Sequence, residues 1–145
     1  MAGKIERVAP FILLIIISLG ATPFESALCK RVIDGDTIEL STGERVRYIG
    51  MDTLEPKGKL GNVIAEFNRF LVEGKEIRLE FDAEKYDKYN RLLAYVYVDD
   101  IFVNAMLVKR GLAKVMTVPP NVRYKKDFQQ LEEEAKAANR GIWAK

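Results

Sequence analysis

The sequence predicts an α+β domain, mainly β, in which a five-stranded antiparallel barrel of the OB type is accompanied by about three α-helices. Three observations favour this class. Short segments with apolar residues at every second position indicate strands, turn residues separate them, and other segments carry apolar residues at helical spacing. The 145 residues are enough for one such domain and a short extension.

The first half of the domain is predicted to contain three strands and one helix. The strands are expected at residues 29–33, 37–40 and 45–51. Turns at 34–36 and 41–44 separate them. The helix is indicated by apolar residues at helical spacing, Leu60, Ile64, Phe67 and Leu71. Gly74 is predicted to end this helix, because glycine tolerates the left-handed backbone that often follows one.

Two further strands are predicted in the second half. Ile77, Leu79 and Phe81 alternate with charged residues that include Glu80, which indicates a half-exposed fourth strand. Residues 92–98 are apolar on both faces, so we expect a central fifth strand there.

The remaining helices follow the fifth strand. Asn104 is predicted to cap a short helix that closes at Gly111. The last helix is indicated by apolar residues on one side, Phe128, Leu131, Ala135 and Ala138. It is expected to end at Gly141.

Composition excludes several kinds of chemistry. Hydrophobic residues make up 48% of the chain, which supports a packed core, and the net charge is only +2. Affinity for nucleic acid would therefore require local clusters of Lys and Arg. The absence of histidine excludes His-based zinc sites and Ser-His-Asp triads. Cys29 is the only cysteine, so an internal disulfide is impossible.

The N-terminal segment has the pattern of an export signal. Lys4 and Arg7 precede an apolar run at residues 11–19, which is shorter than the roughly 20 residues that span a bilayer. We expect residues 1–27 to form a cleaved signal peptide, or an uncleaved membrane anchor as the alternative. The domain then covers residues 28–145 and is secreted or held in the cell envelope.

Charged residues cluster where the predicted strands end. Asp36, Asp52 and Glu55 follow turns or strands, Arg47 lies within the third strand and Arg91 opens the fifth. A barrel that brings these ends together would gather three carboxylates and two guanidiniums. Carboxylates can bind a hard cation or activate water, and guanidiniums can bind a phosphate with two parallel hydrogen bonds. Phosphodiester hydrolysis is therefore one possible function.

Structural explanations remain open at this point. Asp34-Gly35-Asp36 alone is typical of a turn, Arg47 could pair with Glu39 across two strands, and Arg91 could cap a turn. A non-catalytic OB-type module that binds nucleic acid is the alternative function.

Five segments, in order along the chain, resemble the conserved motifs of the staphylococcal nuclease family. They are residues 32–38 (Val-Ile-Asp-Gly-Asp-Thr-Ile), 47–55 (Arg-Tyr-Ile-Gly-Met-Asp-Thr-Leu-Glu), 87–95 (Asp-Lys-Tyr-Asn-Arg-Leu-Leu-Ala-Tyr), 103–115 and 141–143 (Gly-Ile-Trp). The resemblance runs from about Cys29 to Trp143. It implies an OB-type barrel and a calcium-dependent nuclease that hydrolyses DNA or RNA.

The resemblance also implies a calcium site and a base. Asp36 and Asp52 would be carboxylate ligands of Ca²⁺, and the carbonyl oxygen of Thr53 would complete the protein's share of the ligands. Glu55 would act on the attacking water.

The same resemblance implies how the substrate is held. Arg47 and Arg91 would bind the scissile phosphate and stabilise the transition state, while Lys88 and Tyr89 would contact a terminal phosphate. A monomer without a stable protein partner is expected, with a membrane involved only if the N-terminal segment stays uncleaved. DNA and RNA remain equally possible substrates.

The chain departs from the family pattern in the loops. Leu54 stands where the family usually has proline between Thr53 and Glu55. Thr117 and Pro119 align where the best-known member places two tyrosines near the nucleotide base. These departures leave every chemical group of the implied site in place.

Overall fold

A computed structural model gives the fold of residues 24–145. Residues 1–23, which make up most of the predicted signal segment, lie outside this range. Among residues 24–145, no helix combines the length and the apolar character that crossing a bilayer requires.

The described chain contains eight strands, three α-helices and one short 3₁₀ turn. The strands are β1 (Phe24–Val32), β2 (Thr37–Leu40), β3 (Arg45–Tyr48), β4 (Met51–Asp52), β5 (Glu76–Glu80), β6 (Leu92–Val98), β7 (Ile101–Phe102) and β8 (Lys114–Val115). The helices are α1 (Lys59–Val72), α2 (Val103–Lys109) and α3 (Lys125–Ala137), and the 3₁₀ turn is Gly141–Trp143.

Five of the strands close into a ring, which confirms the predicted OB-type barrel. Strand β1 pairs with β2 and β5, β2 pairs with β3, and β5 pairs with β6, all antiparallel. The ring is closed by β3 and β6, which run parallel. A ring with an odd number of strands cannot alternate direction all the way round, so one parallel pair is required and the barrel is not wholly antiparallel as predicted.

Strand β6 is buried on both faces, as its sequence predicts. Leu92, Ala94 and Val96 are buried together with the apolar side chains of the other barrel strands. Tyr95 points to the opposite face, where it meets Phe128 of α3. The outer face of β6 is therefore covered by a helix, and this explains the absence of polar residues from the strand.

Two glycines act at helix ends as predicted. Gly74 follows α1 with φ +74°, and Gly111 follows α2 with φ +70°. The end of α3 was predicted wrongly, because this helix stops at Ala137 and Asn139 takes the left-handed conformation instead (φ 52°). Gly141 opens the following 3₁₀ turn.

The third predicted strand is divided. The interval between β3 and β4 contains Gly50, which has φ +82°. A Cβ atom on Gly50 would lie 2.7 Å from Cε2 of Phe128. The glycine thus lets α3 approach the barrel while the chain turns towards Asp52.

Asn104 does not cap α2, contrary to the prediction. The N-cap position is Phe102, and Asn104 lies inside the helix with no exposed surface. Its side chain donates to the carbonyl oxygen of Ile49 and accepts from the N–H of Val96, both at 2.9 Å. These buried backbone groups have no partner in water, so the amide satisfies them rather than its own helix.

Glu80 was predicted on the exposed face of β5 but is only 3% exposed. Its carboxylate accepts hydrogen bonds from the hydroxyl of Tyr124, which lies just before α3. Arg123 lies 3.6 Å away. The segment leading into α3 therefore covers the end of this strand and supplies partners for the buried charge.

Strand β1 starts before the predicted domain boundary. Residues 24–28 pair with β5, from Phe24 opposite Glu80 to Leu28 opposite Glu76. Sheet pairing thus begins four residues before residue 28.

Candidate active site

The guanidinium of Arg47 lies between two acidic side chains. Its Nη1 atom is 2.8 Å from Oδ2 of Asp36, and its Nη2 atom is 3.0 Å from Oδ1 of Asp52. Nη1 also donates to the carbonyl oxygen of Met51 at 3.2 Å. Residues from two separate motifs therefore meet in one cluster, where β2 begins and β4 ends.

The suggested pairing of Arg47 with Glu39 was wrong. In the β2–β3 register, Glu39 lies opposite Arg45, and Arg47 lies opposite Thr37. The carboxylate of Glu39 is bound by Arg31 of β1 at 2.6 Å. Arg47 is thereby free to face the loops that follow β1 and β4.

Asp36 is the most firmly held acid of the cluster, with a side chain only 8% exposed. Its Oδ2 atom accepts a hydrogen bond from the backbone N–H of Thr53, and Oδ1 accepts one from the hydroxyl of Thr37, both at 3.0 Å. The first of these bonds ties the loop after β1 to the loop after β4. Asp36 is thus fixed before any ligand binds.

Gly35 allows the two loops to approach each other. A Cβ atom on Gly35 would lie 2.6 Å from Oγ1 of Thr53 and 2.6 Å from Cγ2 of Ile64. Any other residue would push the loops apart. The Asp34-Gly35-Asp36 segment is therefore a turn, as the simple interpretation holds, and it also aims Asp36 at Arg47.

The cluster contains more negative than positive groups. Burial, together with the hydrogen bond and the charge of Asp36, raises the pKa of Asp34 to about 6. Burial and repulsion by Asp36 raise the pKa of Asp52, although Arg47 partly offsets them. Two carboxylates contact the one guanidinium and a third, that of Asp34, lies beside Asp36, so the cluster favours a further cation.

The donors at this point suit a hard cation. Asp36 and Asp52 supply carboxylate oxygens that converge on one positive group, and carboxylate, carbonyl and water oxygens are what Ca²⁺ prefers. Within residues 24–145, no three acidic, histidine or cysteine side chains converge as a complete metal cluster. Any cation here would therefore need backbone or water oxygens besides the two carboxylates.

A pocket of about 360 Å³ lies beside the acidic cluster. Four predicted site residues line it, namely Arg47, Lys88, Tyr89 and Arg91. Its other lining residues include Ile49, Glu84, Asp87, Leu93, Met116, Val118 and Asn121. Both arginines therefore face one cavity, whereas Asp36, Asp52, Thr53 and Glu55 are not among the residues that line it.

Asp87 organises the loop that carries Arg91. Its Oδ1 atom accepts the backbone N–H groups of Tyr89 and Arg91 at 2.9 Å, and its Oδ2 atom accepts Nε of Arg91 at 2.7 Å. Burial alone would raise the pKa of Asp87, but these hydrogen bonds outweigh it and hold the pKa below its usual value. Asp87 belongs to a recognised motif, but this role was not predicted from the sequence.

Tyr89 stands at the exposed rim of the pocket. Its ring lies 5.1 Å from Nζ of Lys88 and 5.4 Å from Cζ of Arg91. Two cations therefore flank the ring, and both remain close enough to meet an anion that enters the pocket.

Glu55 lies in the loop after β4, three residues beyond Asp52, and is exposed. Gly61, in the first turns of α1, lies against the backbone of this loop. A Cβ atom on Gly61 would lie 1.9 Å from the carbonyl oxygen of Glu55. The glycine thus fixes the path of the loop even though Leu54 replaces the proline of the family pattern.

The residues that form the outer wall of the pocket were not predicted from the sequence. The side chains that line it are those of Met116 and Val118, although the sequence alignment pointed to Thr117 and Pro119. Alternation along an extended segment places residues 116 and 118 on the same side. This periodicity was the signal that could have identified them.

Asn121 holds that wall in place and was also missed. Its side chain accepts from the N–H of Glu84 at 2.8 Å and donates to the carbonyl oxygen of Glu84 at 2.9 Å. A buried amide that satisfies both backbone groups of a distant residue fixes the two loops against each other.

Comparison with known proteins identifies relatives over most of the chain. Residues 45–145 match the family model described as staphylococcal nuclease homologue. The thermonuclease of Staphylococcus intermedius is 41% identical over 128 residues, which cover 82% of this chain and 76% of that protein. The thermonuclease of Staphylococcus hyicus is 33% identical over 123 residues, or 79% of this chain and 73% of its own length.

A similar protein of known type also occurs outside the staphylococci. Endonuclease YncB of Bacillus subtilis (strain 168) is 42% identical over 126 residues, which cover 79% of this chain and 60% of that protein. The matched family region begins at β3, so it includes Arg47, Asp52, Glu55 and Arg91, whereas Asp36 lies before it.

Proposed function

Since the chain belongs to the staphylococcal nuclease family, it is a phosphodiester hydrolase that acts on nucleic acid, and we propose that it is calcium-dependent. The observation that carries this proposal is the position of Arg47. Its guanidinium is held by two carboxylates on one side and lines a pocket with Arg91 on the other. A phosphate in that pocket would lie next to the acidic cluster.

The names of the relatives support catalysis over simple binding. Two are thermonucleases and one is an endonuclease. A non-catalytic OB-type module would not need an acidic cluster beside a phosphate pocket, because carboxylates repel nucleic acid unless they serve a cation or a proton transfer. The alternative of a binding module is therefore not favoured.

Asp36 and Asp52 would hold the calcium ion together with the carbonyl oxygen of Thr53. Bound calcium supplies positive charge that stabilises the phosphate oxygens and favours ionisation of a nearby water. Mg²⁺ should serve less well, because it requires a tighter octahedral arrangement than two carboxylates and a carbonyl provide.

Arg47 and Arg91 would bind the scissile phosphate. Asp87 engages Nε of Arg91, and this contact orients the guanidinium so that its terminal nitrogens can face the pocket. Arg47 would weaken one of its ion pairs as the phosphate enters, and the cluster of acids keeps it near the point of reaction. Guanidinium donors gain strength as charge builds on the phosphate oxygens in the transition state.

Glu55 would accept a proton from the attacking water. Its exposure lets water reach the carboxylate, and the contact of Gly61 with its backbone limits the movement of the loop. Lys88 and Tyr89, at the rim of the same pocket, would contact a terminal phosphate.

We also propose that the protein is exported and acts as a monomer. Export is supported by the basic start and the apolar run at residues 11–19 of the sequence.

The experiment that tests this function is a cleavage assay on the purified protein. Single- and double-stranded DNA and RNA are incubated with Ca²⁺, with Mg²⁺ or with a chelator. We expect cleavage with Ca²⁺, weak cleavage with Mg²⁺ and none with the chelator. Full cleavage in excess chelator would exclude the proposed role of Asp36 and Asp52.

A further inference from the structure

A second groove, of about 610 Å³, lies between α1, the end of α2 and the C-terminal 3₁₀ turn. Its lining residues include Phe67, Met106, Lys109, Arg110, Leu112 and Arg140. Three of these side chains are cationic, and none of the residues that line the groove in the described part of the chain is acidic. For a protein with a net charge of only +2, this is a strong local concentration of positive charge.

Two aromatic rings accompany these cations. Cζ of Arg110 lies 5.1 Å from the centre of the Phe67 ring. One helical turn further along α1, Phe70 is 75% exposed, and Nζ of Lys75 lies 5.7 Å from the centre of its ring. Residues three apart on a helix are neighbours, so the two side chains form a short aromatic row on α1 with a cation beside each ring. Phe70 extends this row beyond the residues that line the groove.

The groove is built on rigid contacts. Nη1 of Arg140 donates to the carbonyl oxygen of Lys109 at 3.1 Å, and the N–H of Ile142 donates to the carbonyl oxygen of Gly111 at 2.8 Å. A Cβ atom on Gly141 would lie 2.1 Å from that same oxygen. The C-terminal turn is therefore fixed against α2, and the cations keep their spacing.

Helix stability explains only part of this arrangement. Lys109 and Arg110 lie at the C-terminal end of α2, where positive side chains stabilise the helix by interacting with its partial negative charge. This stabilisation does not require the side chains to face the groove. That effect does not account for Phe70, a large apolar ring exposed beside a cation. Alternating aromatic rings and cations are the arrangement with which proteins bind single-stranded nucleic acid, since bases stack on the rings and phosphates meet the cations.

We propose that this groove is an auxiliary binding site for single-stranded segments of the nucleic-acid substrate. This inference rests on the proposed nuclease function. The first turns of α1 touch the Glu55 loop at Gly61, and Phe67 follows six residues later, about 9 Å further along the helix. The groove therefore starts a short distance along α1 from the loop that carries Glu55, and a substrate strand that passes this loop would be able to reach it.

Other occupants fit the groove less well. A second copy that presented the same face would bring Lys109, Arg110 and Arg140 against their own copies, and like charges at close range repel each other. An anionic membrane would match the charge, and binding to vesicles distinguishes that possibility in the experiment below.

The main test is a double substitution, Lys109→Gln with Arg110→Gln, in the full chain. Kinetics are measured on a long single-stranded DNA and on a dinucleotide phosphodiester that is too short to reach the groove. We expect kcat/KM to fall about fivefold or more on the long substrate relative to the short one. The dependence of log KM on log salt should weaken by about 1.4, as loss of two phosphate contacts on a single strand predicts.

A matched control separates local from general charge effects. Lys30→Gln with Lys126→Gln removes the same charge from exposed positions outside the groove and should leave the ratio of long to short substrate unchanged. Equal losses on both substrates, or the same ratio change in the control, would overturn the proposal. So would unchanged kinetics combined with lost sedimentation on vesicles that contain anionic lipid.

The aromatic row is tested by Phe70→Ala. Because stacking requires unpaired bases, affinity should fall about fivefold or more for single-stranded DNA and less for a duplex of equal length. Fluorescence anisotropy in the presence of chelator measures this binding without cleavage. If the parent protein bound DNA through the groove but cut neither substrate, the proposed function would fail and the groove would stand; equal affinity of parent and variants would refute the groove alone.

Discussion

At the scale of single residues, each arginine of the candidate site is paired with a carboxylate in the absence of substrate. Arg47 is engaged by Asp36 and Asp52, and Arg91 is engaged by Asp87. In each case a carboxylate orients a guanidinium without covering all of its donors. Under the proposed function, a phosphate that entered the pocket would meet arginines that are already oriented, which would lower the cost of ordering them.

Replacement of either arginine by lysine should test this pre-orientation. Arg47→Lys and Arg91→Lys keep the charge but lose the paired, planar donors, so kcat should fall roughly 10²-fold or more in each. Steady-state kinetics with Ca²⁺ measure the effect. Arg45→Lys is the matched control, because Arg45 lies two residues earlier on β3 and is exposed; it should stay within a few-fold of the parent. Comparable activity of all three variants would contradict the assignment.

Glu55→Gln should separate proton transfer from binding. The amide keeps the shape of the side chain but cannot accept the proton of water, so kcat should fall about 10²-fold or more while KM changes little. Calcium binding, measured by calorimetry, should persist. Glu76→Gln, an exposed change on β5, is the control and should be silent. A Glu55→Gln protein with parental kcat would show that another group takes the proton.

At the scale of secondary-structure elements, local rules predicted what depends on neighbours along the chain. Gly74 and Gly111 end helices because a left-handed residue is needed there, and this need is visible in the sequence. The partners of Asn104 and Glu80 lie at Ile49 and Tyr124, far away in sequence. Such contacts exist only after the barrel closes, so local propensity predicted a cap and an exposed strand face instead.

The candidate site likewise has a part that the sequence predicted and a part that it did not. The motifs predicted Arg47 and Arg91 as site residues, because the order and spacing of these residues can be compared directly along a sequence. Both arginines line one pocket. The motifs did not show that Arg47 joins Asp36 to Asp52, or that Asn121 holds the pocket wall through Glu84. These arrangements depend on the meeting of loops that no period of the sequence records.

Asn104 is expected to matter for stability more than its place in a short helix suggests. Asn104→Ala would leave the carbonyl oxygen of Ile49 and the N–H of Val96 buried without partners, at a cost of about 2–4 kcal/mol in the free energy of unfolding. Urea denaturation measures it. The control Asn62→Ala, at an exposed position of α1, should change stability by less than about 0.5 kcal/mol. Equal effects of the two substitutions would mean that the buried amide is not required.

At the scale of the whole molecule, one barrel carries the candidate active site, the proposed auxiliary groove and the C-terminal 3₁₀ turn. Strands β2 to β4 and the start of β6 carry the catalytic candidates, and α1 links them to the proposed auxiliary groove. The C-terminal turn closes against Gly111 and brings Trp143 beside α3. Loss of the C-terminal turn should therefore lower the stability of the whole barrel.

Export should leave the barrel intact. Strand β1 begins at Phe24 and pairs with β5 along residues 24–28, so cleavage of a signal peptide should occur before Phe24 rather than as late as Ala27. We expect the mature protein, purified from medium or envelope, to start between residues 20 and 24. N-terminal sequencing or intact mass checks this. An intact N-terminus on protein from the cytoplasm would contradict export.

Deletion of residues 141–145 should destabilise the entire domain. The indole of Trp143 is partly buried, and Nζ of Lys136 on α3 lies 4.8 Å from its ring. The deletion also removes the hydrogen bond from Ile142 to Gly111 and opens the end of α2. A partly buried tryptophan should contribute less than the 3–5 kcal/mol of a fully buried one, so we expect a loss of about 2–3 kcal/mol. Removal of Ala144 and Lys145 alone keeps these contacts and is the matched control. If urea denaturation gave the same free energy of unfolding for both truncations, the C-terminal turn would contribute nothing to the barrel.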